Sequence, residues 1–408
     1  MSVAAIIAEY NPFHTGHKYQ IDKVREVTNA DYIIIIMSGN YVQRGIPAIA
    51  DKYIRAKSAL LCGADMVIEL PVFYATASAE YFAAGAVNLI SQLSCVDYLC
   101  FGCEYDNIVL LNNIADILVN EPLEFKREIK SKISQGMSYV QARESALLKC
   151  TDDSDKTDIK NLINSSNAIL GIEYIKALKK FNSDIRPVII KREGTYNSTA
   201  MNDTFASATG IRNSIINNSD EYIRHIPSEC KEMLNWISAF PMYSDDFYTS
   251  LVSGIIMNSD SLSQYFDVSD DLANSITNNY MNYNGFDNLS FAVSGKHTTV
   301  THCNRALLHI LLNITQDEED SYISLNYNTY IRLLGFKKDS SEILKHIKSN
   351  SSLPIISKMS DTERTLPAQT LNMLKRNIQC DNLYRFIFNM KYNNIIKTNE
   401  YNTPIIII

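Results

Sequence analysis

The sequence predicts an α/β fold: a mostly parallel sheet with crossover helices, followed by a mainly helical domain. Three observations predict it. Short apolar runs alternate with helical stretches through the first half of the chain. A two-histidine loop follows directly on the first of those runs. After roughly residue 240, aromatic and polar segments surround helical runs such as residues 305–312 and 342–347. Apolar runs separated by crossover helices are the pattern of a parallel sheet. The expected division is therefore 1–240 for the sheet domain and 241–408 for the helical one.

The elements follow in order. Val3–Ala8 is the first strand, and a helix runs from about residue 16 to 27. Residues 32–37 form the second strand, ending at Ser38-Gly39-Asn40. Residues 48–61 have helical spacing and offer Lys52, Arg55 and Lys57 to solvent or phosphate. Residues 65–70 are a third strand, which Pro71 stops. A helix over 75–89 and a strand over 96–101 come next, then helices near 107–119, 124–135 and 171–180. Residues 187–191 read as a further parallel strand and 211–217 as the start of another helix. The polar stretch 152–158 reads as an exposed insertion, and the isoleucines at 405–408 as a packed tail.

At 408 residues the chain can bury a substantial core, and 46% hydrophobic with 20% charged residues is a globular composition. A net charge of −7 argues against indiscriminate attraction to nucleic acid, and DNA is not an expected partner. It leaves room for a local basic surface that meets a particular RNA. No basic leader with an apolar core precedes the first strand, and no long apolar span follows. The expectation is a soluble, cytoplasmic enzyme with no membrane partner. Eight cysteines in so long a chain are not a disulfide framework. Cys100 and Cys103 have C-x-x-C spacing but no second pair or nearby histidine to complete a zinc site. They read as ordinary thiols at a buried strand edge.

The chemistry gathers at Asn11-Pro12-Phe13-His14-Thr15-Gly16-His17. A strand, a glycine-containing loop and a helix make a nucleotide phosphate site, because helix-terminal N–H groups and the positive end of the dipole favour an anion. Gly16 lets the backbone approach closely, Pro12 limits the loop geometry, and Phe13 packs beneath it. His14 and His17, as paired cationizable side chains, can stabilise charge while an α-phosphate is attacked. That points to adenylyl transfer or adenylation rather than hydrolysis.

With this loop the chain resembles the HxGH nucleotidyltransferase superfamily. Residues 11–17, 37–45, 63–71, 78–86, 99–104, 167–174, 206–212 and 330–335 look like the bacterial tRNA-Met cytidine acetate ligase family. The resemblance implies a Rossmann-like nucleotidyltransferase domain and an ATP-dependent ligase. Such an enzyme activates acetate as acetyl-adenylate and acetylates N4 of the wobble cytidine in elongator tRNA-Met, giving N4-acetylcytidine. ATP is then a co-substrate, and Mg²⁺ is expected at its phosphates, with no sequence cluster naming the metal's ligands.

By the same resemblance Ile7, Ala8, Glu9, Tyr10, Asn11, Pro12, Phe13, His14, Thr15, Gly16, His17, Lys18, Tyr19 and Gln20 surround ATP. Gly102, Asn167 and Arg192 match further nucleotide positions. Ala206–Arg212 resembles a second phosphate motif, in which Ser207 and Thr209 supply hydroxyls and Arg212 a bidentate guanidinium. His14, His17 and Arg212 are the catalytic candidates. The chain departs from the family at Asn167-Ala168, where an Asn-Asn pair is usual. It departs again at Gly194-Thr195-Tyr196-Asn197, which lacks a usual histidine and is given no chemistry. Lys52, Arg55, Lys57, Arg305 and Arg332, with residues 41–44, are candidates for tRNA contact. His225, His297, His302, His309 and His346 read as structural or surface residues. Two other functions suit the first loop: AMP transfer to a small phosphorylated cofactor precursor, and a catalytically inactive, nucleotide-responsive RNA-binding protein.

Overall fold

The computed structural model describes residues 1–151, 155–163, 165–192, 205–295, 298–327, 329–359 and 362–408. Its strands in chain order are β1 (Val3–Ala8), β2 (Tyr32–Ser38), β3 (Tyr41–Val42), β4 (Ile46–Pro47), β5 (Met66–Leu70), β6 (Tyr98–Cys103), β7 (Arg186–Lys191), β8 (Ile331–Phe336), β9 (Ile355–Ile356) and β10 (Ile406–Ile407). The main sheet has the order β10-β8-β5-β2-β1-β6-β7, with β9 also on β8, while β3 and β4 form a separate hairpin. All pairs in the main sheet are parallel except β5 with β8.

Strands alternate their side chains between faces. Here both faces are covered, which is why the strands read as continuous apolar runs. Val3 and Ala5 enter one core with Ile34, Ile36, Leu99 and Phe101. Ala4 and Ile6 enter the other with Ile33, Ile35 and Cys100. Each such buried isoleucine contributes roughly 1.5–3 kcal/mol. Cys100 and Cys103 are buried, but β6 lies between β1 and β7, so the expected strand edge is an interior strand.

Several helix bounds differ from the sequence pattern, and the helices expected from 171 and 211 begin at Ser166 and Ala208. The helix expected from 48 is Lys52–Leu61, because the Asp51 carboxylate accepts the Tyr53 N–H at 2.8 Å and caps it. Residues before it belong to the loop: Ala48 N–H donates to Asn40 O, and Ile49 N–H to the Asn11 side-chain oxygen, both at 2.8 Å. The helix expected over 75–89 is two, Val72–Ala75 and Ala79–Gln92. Of the polar stretch 152–158, residues 152–154 lie outside the described residues, and helix Lys156–Leu162 follows.

Beyond residue 240 the chain is mainly helical, yet it returns to the sheet. β8 pairs antiparallel with β5, and β10 pairs with β8, so the terminal isoleucines are a short edge strand. Residues on both sides of position 240 share one core, from Val3 to Phe388. Among the described residues no helix is long and apolar enough to cross a membrane.

Strand order reverses beside β1: β2 and β5 extend the sheet to one side, β6 and β7 to the other. In open α/β sheets that reversal leaves a crevice beyond the carboxyl ends of the strands.

Candidate functional site

A cleft of about 410 Å³ occupies that crevice. Of the residues predicted to bind nucleotide, Ile7, Ala8, Glu9, Tyr10, Asn11, His17, Gln20, Gly102, Asn167, Arg192, Ser207, Thr209 and Arg212 line it. His14, Gly16 and Tyr19 line a small adjoining recess with His17 and Arg192. Pro12 and Phe13 support the loop; Phe13 is fully buried, with its ring 4.8 Å from Tyr10 and 5.6 Å from His17. Thr15 opens the helix Thr15–Thr28, and Lys18 turns away to Asp22 and Glu229.

The two histidines do more than face the cleft, since they cap the helix they begin. His14 Nδ1 accepts the Gly16 N–H at 3.1 Å, and His17 Nδ1 accepts the His14 N–H at 3.3 Å. This is a capping box built from imidazoles in place of serine and glutamate. The rings stack with centroids 3.7 Å apart. A Cβ on residue 16 would lie 2.9 Å from the His14 ring, so only glycine keeps the pair in place.

The caps fix the tautomer. Because each Nδ1 accepts a backbone hydrogen, each neutral ring carries its proton on Nε2. Burial, with Arg192, His225 and Arg212 nearby, pushes His14 down to about 3. Burial, His14 and Arg192 hold His17 well below the ordinary imidazole value. Burial therefore favours the neutral N–H donor form of both cationizable rings near neutral pH. The cations are arginines. Arg212 donates from Nη1 to Asn11 O at 2.6 Å and from Nη2 to Thr209 Oγ1 at 3.1 Å, so the second phosphate motif is tied to the first loop.

First-turn residues of five helices line the cleft: His17, Ala79, Asn167, Thr209 and Thr301. Their N-terminal dipoles add to Arg44, Arg192 and Arg212, whereas Glu9 is the one carboxylate among the described residues of the lining. A chain of charge −7 thus holds an electropositive crevice. Asn167 is oriented by its amide hydrogen bond to Glu104 at 2.6 Å, and a Cβ on Gly102 would press on Arg192 at 3.2 Å.

The cations proposed for tRNA fare differently. Lys52 is fully buried and pairs with Glu69 at 2.9 Å, Asp381 at 2.6 Å and Glu400 at 3.1 Å. Arg332 is buried beside Glu400 at 3.4 Å and Tyr53 at 3.2 Å. Arg55 is buried and spends its fork on carbonyls, donating to Glu9 O at 2.6 Å, Ala50 O at 2.9 Å, Ser38 O at 3.2 Å and Gly39 O. Arg305 is held in the interior by Asp267 at 2.9 Å. These four are corrected from RNA contacts to internal fasteners, since a buried side chain already paired cannot also meet a phosphate. Lys57 remains partly exposed and pairs with Glu232.

Among the other histidines, His309 is buried and its Nδ1 lies 3.0 Å from Phe266 O. His302 Nε2 lies 2.8 Å from Asp267 O, and His225 is buried near His14. His346 lines a separate cavity, while His297 and residues 194–197 lie outside the described residues. Sequence reasoning missed Ala79, Phe82, Phe101, Ser166, Tyr174 and Thr301 in the cleft wall. Ser166 was legible, since it adjoins Asn167 at a helix start. Thr301 carried no local signal.

Residues 1–399 match the family model described as HIGH Nucleotidyl Transferase. The tRNA(Met) cytidine acetate ligase of Clostridium perfringens is 38% identical over 396 residues, covering 95% of this chain and 96% of that one. The ligase of the same name from Acetivibrio thermocellus is 37% identical over 404 residues, covering 97% and 96%. The crystal structure of apo TmcAL from Thermotoga maritima matches with a TM-score of 0.93 at 30% identity over 99% of both chains. Its form with bound alpha-thio ATP matches at 0.91 and 29% identity over the whole of both. Sequence and fold that agree over nearly the full length place this chain in the HIGH nucleotidyl transferase family, among its tRNA(Met) cytidine acetate ligases.

Proposed function

We propose that this chain is an ATP-dependent ligase that converts acetate to acetyl-adenylate and acetylates N4 of the wobble cytidine in elongator tRNA-Met. The observation that carries this reading is full-length likeness to ligases of that activity, joined to a cleft that keeps both loop histidines and Arg212. ATP lies across the ends of β1 and β6, with its phosphates toward the histidine helix and Ala208–Ile216.

In the first step an acetate oxygen attacks the α-phosphorus, and pyrophosphate leaves as the phosphoanhydride bond breaks. Acetate is already an anion, so no base is required. The Nε2–H groups of His14 and His17 and the guanidiniums of Arg192 and Arg212 stabilise the charge that builds on phosphoryl oxygens. In the second step the cytidine amine attacks the acetyl carbon, sheds a proton and expels AMP. A closed cleft keeps water from the adenylate.

Mg²⁺ accompanies the phosphates in this reading. Among the described residues no group of three His, Cys, Asp or Glu is placed to hold a metal. The described residues therefore offer no carboxylate cage for the ion, which fits a cation held chiefly by phosphate and water. No step is assigned to it.

We place the enzyme in the cytoplasm, with residues 241–408 assisting tRNA binding and Lys57 as the remaining candidate for phosphate contact. The test is to incubate the protein with ATP, Mg²⁺, labelled acetate and unmodified elongator tRNA-Met, then analyse nucleosides. Labelled N4-acetylcytidine at the wobble position is expected. The absence of labelled N4-acetylcytidine, with the RNA intact and the protein folded, would overturn the reading.

A further inference from the structure

Two ligands must share one cleft, and the strand order divides its wall between them. Gly102 lies in β6, Asn167 on the helix that leads to β7, and Arg192 just after β7, on one side of β1. Gln43, Arg44, Ala79 and Phe82 come after β2 and β5, on the other side. None of these four is among the nucleotide-contact positions. In-line displacement requires the attacking oxygen opposite the departing pyrophosphate. With the nucleotide on the β6 side, the acceptor has to enter from the β2 and β5 side.

We propose that Gln43, Arg44, Ala79 and Phe82 form the acetate subsite, in which Arg44 receives the carboxylate and Phe82 limits the acyl chain to a short, unbranched one. This rests on the ligase reading above. The hairpin that carries the polar pair is firmly seated. Gln43 N–H donates to Glu9 Oε1 at 3.0 Å, and Gln43 Nε2 donates to Ala77 O at 3.2 Å, tying β3–β4 to the segment just before Ala79. At the hairpin tip Gly45 has a φ of +76°, and a Cβ there would lie 2.3 Å from the Arg305 backbone nitrogen. The tip is thus clamped against helix Val300–Leu312, and Arg44 is presented by a rigid ribbon.

The chemistry of the wall fits a small amphiphile. Phe82 is 3% exposed and anchored in the core, while Ala79 leaves space beside it. A methyl group meets an apolar surface there, and each further methylene has to displace the Phe82 ring. Glu9 repels a second anion from the β1 end, which directs the carboxylate toward the guanidinium.

The experiment compares acetate, propionate and butyrate in ATP-dependent pyrophosphate release. Phe82→Ala is expected to raise kcat/KM for propionate relative to acetate by about tenfold or more, the usual worth of one methylene in a fitted pocket. This ratio does not depend on the folded fraction, and Phe82→Leu supplies a milder change if the alanine variant expresses poorly. Arg44→Gln is expected to raise the acetate KM about tenfold with the ATP KM within about twofold. An unchanged acyl preference in both Phe82 variants, or an unchanged acetate KM in Arg44→Gln, overturns the assignment. So does an Arg44→Gln variant whose sole defect is the KM for tRNA, which would give Arg44 to the RNA. If the wild-type chain releases no pyrophosphate with acetate, the ligase reading fails and the subsite with it.

Discussion

The cleft and the buried ion cluster both use charge, and they use it in opposite ways. In the cluster Lys52, Arg332 and Arg385 meet Glu69, Asp381 and Glu400 in near balance, away from water. Among the described residues of the cleft three arginines and five helix starts face a single carboxylate, and burial keeps the histidines neutral. A balanced set has no remaining field for a ligand and can serve to register strands and helices. An unbalanced set is costly to maintain until an anion arrives, which is what a polyphosphate site requires. One helix, Lys52–Leu61, belongs to both regions: Lys52 closes the cluster, while Arg55 holds the loops after β1 and β2 that shape the cleft.

The largest effect should come from unbalancing the cluster. Lys52→Met leaves three carboxylates facing one another and is expected to cost about 3–5 kcal/mol of stability. Urea unfolding measures it; a variant as stable as wild type would show that the cluster is not a fastener. Next is His17→Ala, which removes a neutral donor from the cleft. Adenylate formation should slow by about 10²–10³-fold, roughly 2.7–4 kcal/mol in the barrier. The unfolding midpoint should move far less than for Lys52→Met, and equal losses of stability would erase the distinction between the regions.

Acid separates the two regions by pH. Burial alone would raise the Glu400 carboxyl, but Lys52, Arg332 and Arg385 outweigh it and hold the group at about 2. Its folded value lies below the ordinary 4.5, so its contribution is present above that pH and fades as pH falls through about 2. His14 is depressed from 6.5 to about 3 because the folded loop keeps the ring neutral. The unfolded chain takes up that proton first, so stability declines as pH drops from 6.5 toward 3. A His14→Asn variant should flatten part of the slope between pH 6.5 and 4.5, and Glu400→Gln the part below 4.5. Melting temperature against pH reads both. Neutral donors also predict adenylate formation with no loss as pH rises from 6 to 8; a decline through 6.5 would mean that an imidazolium is needed. The smallest effect is Lys57→Ala, below about 1 kcal/mol in stability because the pair with Glu232 is exposed to solvent. Its readout is the KM for tRNA.

Much of the nucleotide side was legible. The β1 run, the Pro12–Gly16 loop and the two histidines are neighbours in the chain, so their spacing already implies a strand, a turn and a helix start. Gly102 and Arg192 came from the family resemblance, and the sheet brings them together because β6 and β7 are adjacent. The neutrality of the histidines was not legible, since it depends on burial and on backbone N–H groups that meet Nδ1 after the loop has closed. Residues 48–50 looked helical because their composition is apolar; their hydrogen bonds to Asn11 and Asn40 belong to a tertiary loop.

The sequence alone determined the alternation of strands and helices, the histidine loop and the family likeness, because each is written in residues close together or in a fixed order of blocks. Tertiary structure decided which cations meet solvent and which are sealed inside. Lys52 is 329 residues from Asp381, and Arg332 is 68 from Glu400. A lysine on a helical pattern looks the same whether water or a distant carboxylate awaits it. Desolvation, which fixes its role, exists only once the chain has folded.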